Sequence, residues 1–156
     1  MWRRLRRRFW AEEDGAVLVE TLIAMPVLTL LTFGILEFGN LMWQRQQLQI
    51  GVRDAARYWS KCRSSATFDT CDIDIARNIA FFGHPDGSGS LRVPEWDDPS
   101  ELTILPSEDD LWTSPDLDNF VVVEGRVAYQ GSPVFNAVFS DSIEIGYWAT
   151  MRHYGW

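Results

Sequence analysis

At 156 residues the chain has room for one domain, or for one domain and an anchor, and its formal net charge of −8 is unevenly spread. Arg3, Arg4, Arg6, Arg7 and Arg8 crowd the N-terminus, whereas residues 61–156 hold 6 basic against 16 acidic residues. A body this acidic repels phosphate, which argues against a nucleic-acid partner.

Residues 16–36 carry a single charge, Glu20. As a helix they would extend roughly 31 Å, about the hydrocarbon thickness of a bilayer. The basic cluster precedes this span, and short Arg-rich segments stay cytoplasmic, so residues from about 44 onward should lie outside. Glu12, Glu13 and Asp14 leave that orientation intact because the rule counts basic residues, and Trp10 and Trp43 stand where interfacial aromatics belong. A cleaved secretory signal is the rival reading. Its apolar run would be shorter, roughly 7 to 15 residues, and "EFGNLMWQRQQLQ" offers no A-x-A site after it. A carboxylate inside a span costs roughly 2 to 3.5 kcal/mol near the helix centre, so Glu20 must find a partner. Glu37 falls near the outer interface and reads first as an interfacial residue.

The helical pattern continues past the span. Leu41, Leu48, Val52, Ala55 and Trp59 make one apolar stripe, with Gln44, Arg45, Gln47, Arg53 and Arg57 on other faces. One helix is therefore expected over residues 16–60. Pro26 interrupts it by withholding an N–H from the Leu22 carbonyl, and the Thr21 and Thr29 hydroxyls are at hand to satisfy what the proline frees.

Cys62 and Cys71 are the only cysteines, on the side argued to be outside, where a disulfide is favoured over two buried thiols. There is no C-x-x-C redox or zinc pattern. "CDIDIARNIAFFGHPDG" predicts a short helix with Ile73, Ala76, Ile79 and Ala80 on one side, ended by Gly83, Pro85 and Gly87. Residues 84–119, rich in Pro, Gly, Ser and acid, read as a long loop region with one short strand over 101–105.

The last third reads as β. Val121, Val123, Val127 and Tyr129 alternate with polar residues, with Gly125 between them, and Ile143, Ile145, Tyr147, Ala149 and Met151 do the same. Both greasy faces need a cover, and the stripe from Leu41 to Trp59 is the available one. Val134, Phe135, Val138 and Phe139, in the connection between the strands, either fill a small core or form an exposed patch. The expected class is α+β: a long N-terminal helix, transmembrane then amphipathic, packed on a small antiparallel β-sheet.

No catalytic arrangement emerges. His84 beside Pro85 and His153 near the terminus read as solvated or strand-edge histidines, and "GSGS" lacks the strand-turn-helix context of a nucleophile elbow. Asp97 and Asp98, and Glu108, Asp109 and Asp110, lack the glycine-centred loop of a calcium site and read as solvated acid. No enzyme activity, metal or cofactor is expected.

Gly15 marks the border between the charged leader and the apolar helix, and Glu20 is the fifth residue counted from Ala16. A cut after Gly15 would create an α-amino group on Ala16, with a pKa of about 7.7 to 8 and so largely cationic. That cation would stand one turn from Glu20, or beside the Glu20 of a neighbouring subunit, and the pairing would set the axial register of parallel helices. A basic leader, Gly, a small residue and Glu at position five resemble the class III signal of type IV pilins. Residues 14–58, "DGAVLVETLIAMPVLTLLTFGILEFGNLMWQRQQLQIGVRDAARY", narrow the resemblance to the TadE-like family, minor pseudopilins of tight-adherence (Flp) pilus systems. The later "VVVEGRVAYQGSPVF" and "ATMRHYG" are also similar to TadE-type strands, while Thr21 stands where Flp-type prepilins carry Tyr and TadE relatives often Phe. The resemblance implies a leader over 1–15, a transmembrane helix over 16–43, its amphipathic continuation over 44–60 and an extracytoplasmic α+β domain over 61–156. It implies a bacterial inner-membrane protein, single-pass, with its N-terminus cytoplasmic and its C-terminal domain periplasmic. Its partners would be a prepilin peptidase cutting between Gly15 and Ala16, other Tad pilins and pseudopilins, and the pilus assembly platform. The alternative is an uncleaved single-pass protein whose outer domain binds a ligand or surface.

Overall fold

A computed structural model describes residues 14–62, 71–108, 119–138 and 142–154, and the chain divides into two compact units between Gly39 and Asn40. Most of the expected leader, including the Arg cluster and Trp10, lies outside the described residues. One helix, α1 (Asp14–Trp59), contributes to both units and is assigned continuously through Pro26. The Thr21 and Thr29 hydroxyls do not serve the Leu22 carbonyl. They donate to the carbonyls of Val17 (2.8 Å) and Met25 (2.7 Å), because a helical threonine reaches most readily four residues back.

The C-terminal unit is built on α1 from Asn40 onward, followed by α2 (Ile73–Phe82), a 3₁₀ turn (Pro99–Glu101), β1 (Leu102–Leu105), β2 (Phe120–Ala128), α3 (Pro133–Val138) and β3 (Glu144–Arg152). The class is α+β, as the periodicities predict. α2 starts where the Asp72 carboxylate accepts the Asp74 N–H (2.7 Å) and stops at Gly83, whose φ of +82° is open to glycine at little cost and whose N–H donates to the Ile79 carbonyl. The sheet order is β1-β2-β3, both pairs antiparallel, with Leu102 opposite Gly125 and Val123 opposite Ala149.

The inner face of the sheet carries Leu102, Ile104, Val121, Val123, Val127, Ile145 and Ala149, all buried in one cluster with Leu48, Val52, Ala55, Ala56 and Trp59 of α1. The expected stripe is thus the cover of the sheet. Ile143 departs from its predicted inward position: it lies before β3 and is 41% exposed. Gln44 also departs. Assigned by polarity to another face, it is 1% exposed and lies four residues before Leu48, on the stripe itself. Its amide donates to the Gln130 carbonyl (2.8 Å) and accepts the Gln130 N–H (3.2 Å), so a buried side chain completes the backbone bonding just beyond β2. Asn40 adds a second donor to that carbonyl (3.3 Å) and one to the Tyr129 hydroxyl (3.2 Å).

The region read as a long loop supplies Trp96, which is fully buried and packs edge-on against Phe81 (centroids 5.0 Å apart). Its ring fits because two glycines face it. A Cβ on Gly51 would lie 2.5 Å from the Ala80 carbonyl oxygen and 2.8 Å from Trp96, and one on Gly125 would lie 2.7 Å from Val52 Cγ2 and 3.1 Å from Trp96. In the connection between β2 and β3, Phe135 packs edge-on against Tyr129 (5.6 Å) while Val134 is exposed; the Val138 side chain and Phe139 lie outside the described residues.

Gly51→Ala should destabilise the protein by about 1–3 kcal/mol through overpacking, although alanine is the better helix former by about 1 kcal/mol. Gly39→Ala, where nothing lies within 4 Å of the added carbon, should be neutral or stabilising. Thermal melts of the two variants in detergent, followed by far-UV circular dichroism, compare them. Gln44→Leu should cost about 1–3 kcal/mol in the same assay, since it leaves the Gln130 N–H without its partner and the Gln130 carbonyl with only the longer bond from Asn40.

Candidate functional site

The N-terminal unit consists, in its described residues, of α1 up to Gly39. Apart from Glu20, Glu37 and three threonines, its side chains beyond Gly15 are apolar on every face, and nearly all are exposed: Leu18 is 68%, Leu22 69% and Leu30 74% exposed. The helix has a stretch of mean hydropathy 2.1 with nothing buried, and is long and apolar enough to cross a membrane. Such a surface is far larger than a soluble monomer exposes, so lipid or other apolar helices must cover it. The helix is a single-pass membrane anchor.

Glu20 stands on this surface beside Ile23, Ala24, Val27 and Leu28, and among the described residues it makes no ion pair. Ala16 lies one turn before it on the same side of the helix. Gly15 is in the first turn of α1, and no atom lies within 4 Å of where its Cβ would be, so close packing does not explain the glycine. The structure therefore brings Ala16 and Glu20 onto one face.

Cys62 and Cys71 are joined in a disulfide, Cα atoms 5.5 Å apart, with the loop 63–70 outside the described residues. The bond ties the end of α1 to the start of α2. Several contacts converge there. The Tyr58 hydroxyl accepts the Asp72 N–H (3.4 Å), the Ser60 carbonyl accepts the Tyr154 N–H (2.8 Å), and His153 Nε2 donates to the Cys62 carbonyl. His153 is thus no solvated histidine. It is 2% exposed, because the chain leaving β3 runs across the end of α1. Burial, with the Asp72 charge adding to it, raises the Tyr58 pKa above its usual value against the opposing Asp72 hydrogen bond.

The acidic stretch after α2 divides by environment. Hydrogen bonds from Ser88 hold the Asp86 carboxyl below the usual range, and those from Ser100 do the same for Asp98, which caps the 3₁₀ turn. Burial raises Glu101, with Asp98, Asp97 and Glu95 adding to the effect, and its Oε2 is buried without a hydrogen-bond partner. Among the described residues no three His, Cys, Asp or Glu side chains are grouped to hold a metal ion; Asp109 and Asp110 lie outside them. His84 is exposed in the turn after α2.

Sequence reasoning missed Gln44 and Trp96. Heptad-like spacing was a usable signal for Gln44. Nothing local marked Trp96, whose burial depends on two glycines distant in sequence.

A family model described as TadE-like protein matches residues 15–57, the length of α1 that carries Gly15, Ala16 and Glu20. No curated protein and no solved structure matches the chain.

For Glu101 the raised folded-state pKa means that its contribution favours the fold below the ordinary value of 4.5 and is lost as pH rises through the folded value. Glu101→Gln should therefore melt higher than the natural chain at pH 7, and the two melting curves should converge below pH 4. For the disulfide, Cys62→Ser with Cys71→Ser should lower stability by about 2.5–3 kcal/mol in the chain-entropy account, read from denaturant midpoints.

Proposed function

We propose that this chain, TadE-like over residues 15–57, is a structural subunit of a tight-adherence (Flp) pilus system: a minor pseudopilin held in the bacterial inner membrane by α1 and processed by a prepilin peptidase between Gly15 and Ala16. The observation that carries this reading is the carboxylate of Glu20, one turn from Ala16 on an otherwise apolar, exposed helix. A buried carboxylate without a cation is costly, and peptidase cleavage supplies a cation one turn away. In an assembly the amine of one subunit meets the Glu20 of its neighbour, so that only helices in one axial register gain the pair. The Arg-rich leader keeps the cleavage site cytoplasmic, and the disulfide belongs to the oxidising side. The role is one of assembly with other Tad pilins and the assembly platform, and not of catalysis.

Intact-mass measurement of the chain from membranes containing the peptidase should give a mature form starting at Ala16, and a chain retaining Met1 there would refute processing. Glu20→Val should still be cleaved yet be absent from sheared pilus fractions. Normal incorporation of that variant would refute the pairing.

A further inference from the structure

The C-terminal unit joins the membrane anchor at one place, the bond between Gly39 and Asn40, so whatever packs on Asn40 and the turn after it stays close to the point where the anchor leaves the lipid. Three exposed apolar side chains of the unit gather there: Trp43 (48% exposed), Val134 (54%) and Ile143 (41%). Trp43 lies roughly 6 Å along the helix from Gly39. Val134 belongs to α3, whose place is set from Asn40. The Asn40 amide donates to the Gln130 carbonyl (3.3 Å) and to the Tyr129 hydroxyl (3.2 Å), and the Tyr129 ring holds Phe135 edge-on. α3 begins at Pro133, within a reach of roughly 10 Å from Gln130, and is capped by Ser132, whose hydroxyl accepts the Phe135 N–H (3.3 Å). With Phe135 turned onto Tyr129, Pro133, Val134, Asn136 and Ala137 are left exposed. Ile143 lines one groove with Leu41, Met42 and Arg45 of α1, and its carbonyl accepts the Tyr129 N–H (2.7 Å). For so acidic a unit this end is poor in charge: residues 130–143 hold a single charged residue, Asp141.

We propose that Trp43, Val134 and Ile143 form a collar that rests in the headgroup layer of the leaflet from which α1 emerges, so that α3 binds a lipid surface. That layer is roughly 5–8 Å deep on each side of a bilayer. Trp43 falls within it, where an indole meets apolar surroundings on one side and water on the other. α3 enters it without stranding a charge, since its exposed side chains are apolar or, at Asn136, neutral. Arg45, exposed two residues beyond Trp43 and without an ion pair among the described residues, meets lipid phosphate from the water side. A protein partner could cover apolar side chains at any part of the unit, whereas a lipid surface is present at the Gly39–Asn40 junction in every copy. The collar rests on the membrane anchor and not on the pilus assignment, and it is compatible with parallel helices in one bilayer. In this seating β3 leads away from the lipid: Thr150, seven residues along from Ile143, stands roughly 23 Å further along the strand.

The test uses the full chain, disulfide intact, in vesicles of phosphatidylethanolamine and phosphatidylglycerol, with one environment-sensitive fluorophore on an introduced cysteine. On Val134→Cys and on Ile143→Cys the emission should lie to the blue of the same label on Thr150→Cys, brominated lipids should quench it, and aqueous iodide should lose most of its effect. On Thr150→Cys, which is exposed, iodide should quench and brominated lipid should not. All three positions are at the surface, and far-UV circular dichroism checks that each labelled chain keeps its fold. Iodide quenching at 134 and 143 equal to that at 150 overturns the proposal. So does shielding of 134 and 143 from both quenchers, which means that a protein covers them. Equal lipid quenching at all three positions also overturns it, because the unit then lies on the bilayer by another face.

Discussion

Trp96 occupies space that exists because Gly51 on α1 and Gly125 on β2 have no side chains, and the C-terminal unit is organised around that contact. The indole sits where Leu48 and Val52 approach the middle of β2, so helix, sheet and the segment after α2 meet at one ring. A core in so small a domain is held mainly by close packing of a few large side chains, and truncating a buried aromatic costs about 3–5 kcal/mol. The disulfide and the polar clamp work at the two ends of the helical segment. Cys62–Cys71 secures the Trp59 end, and Gln44 with Asn40 secures the other by bonding to Gln130.

The two units meet different physical demands. Residues of α1 up to Gly39 expose an apolar surface that water does not tolerate, and within residues 16–36 stands one carboxylate, Glu20, that lipid does not tolerate alone. A bilayer or a helix bundle meets the first demand, and the proposed cut after Gly15 would supply a cation for the second. The C-terminal unit is acidic and closes its own core, and some of its charged groups, Glu101 and the Arg92–Asp54 pair among them, are partly buried. Even there the electrostatics are local: Asp98 is stabilised as an anion by a turn it caps, and Glu101, three residues later, is disfavoured as one by burial.

The two edge strands of the sheet differ in length and in their flanking residues. β1 is short and flanked by prolines, whereas β3 is nine residues long with a Trp at its centre and opposite charges at its ends. Arg126, whose guanidinium is held more firmly charged by its hydrogen bond to Glu124, belongs to the outer face between them.

Periodicity alone determined much of this protein. The 3.6-residue stripe on α1, the alternation in β2 and β3, the apolar span and the position of Glu20 relative to Gly15 are all local patterns, legible because helix and strand geometry repeat along the chain. What tertiary structure decided were the exceptions to polarity and distance. Gln44 and His153 are buried because backbone carbonyls at Gln130 and Cys62 offer them partners, and a polar side chain does not announce a partner 86 or 91 residues away. Trp96 is a core residue inside a stretch that reads as loop, since its burial depends on the missing side chains of Gly51 and Gly125 rather than on its own neighbours. Ile143 is exposed where alternation would bury it, because β3 begins one residue later. Sequence carries what each segment prefers; which segments close around one another is settled only when the three-dimensional packing brings them together.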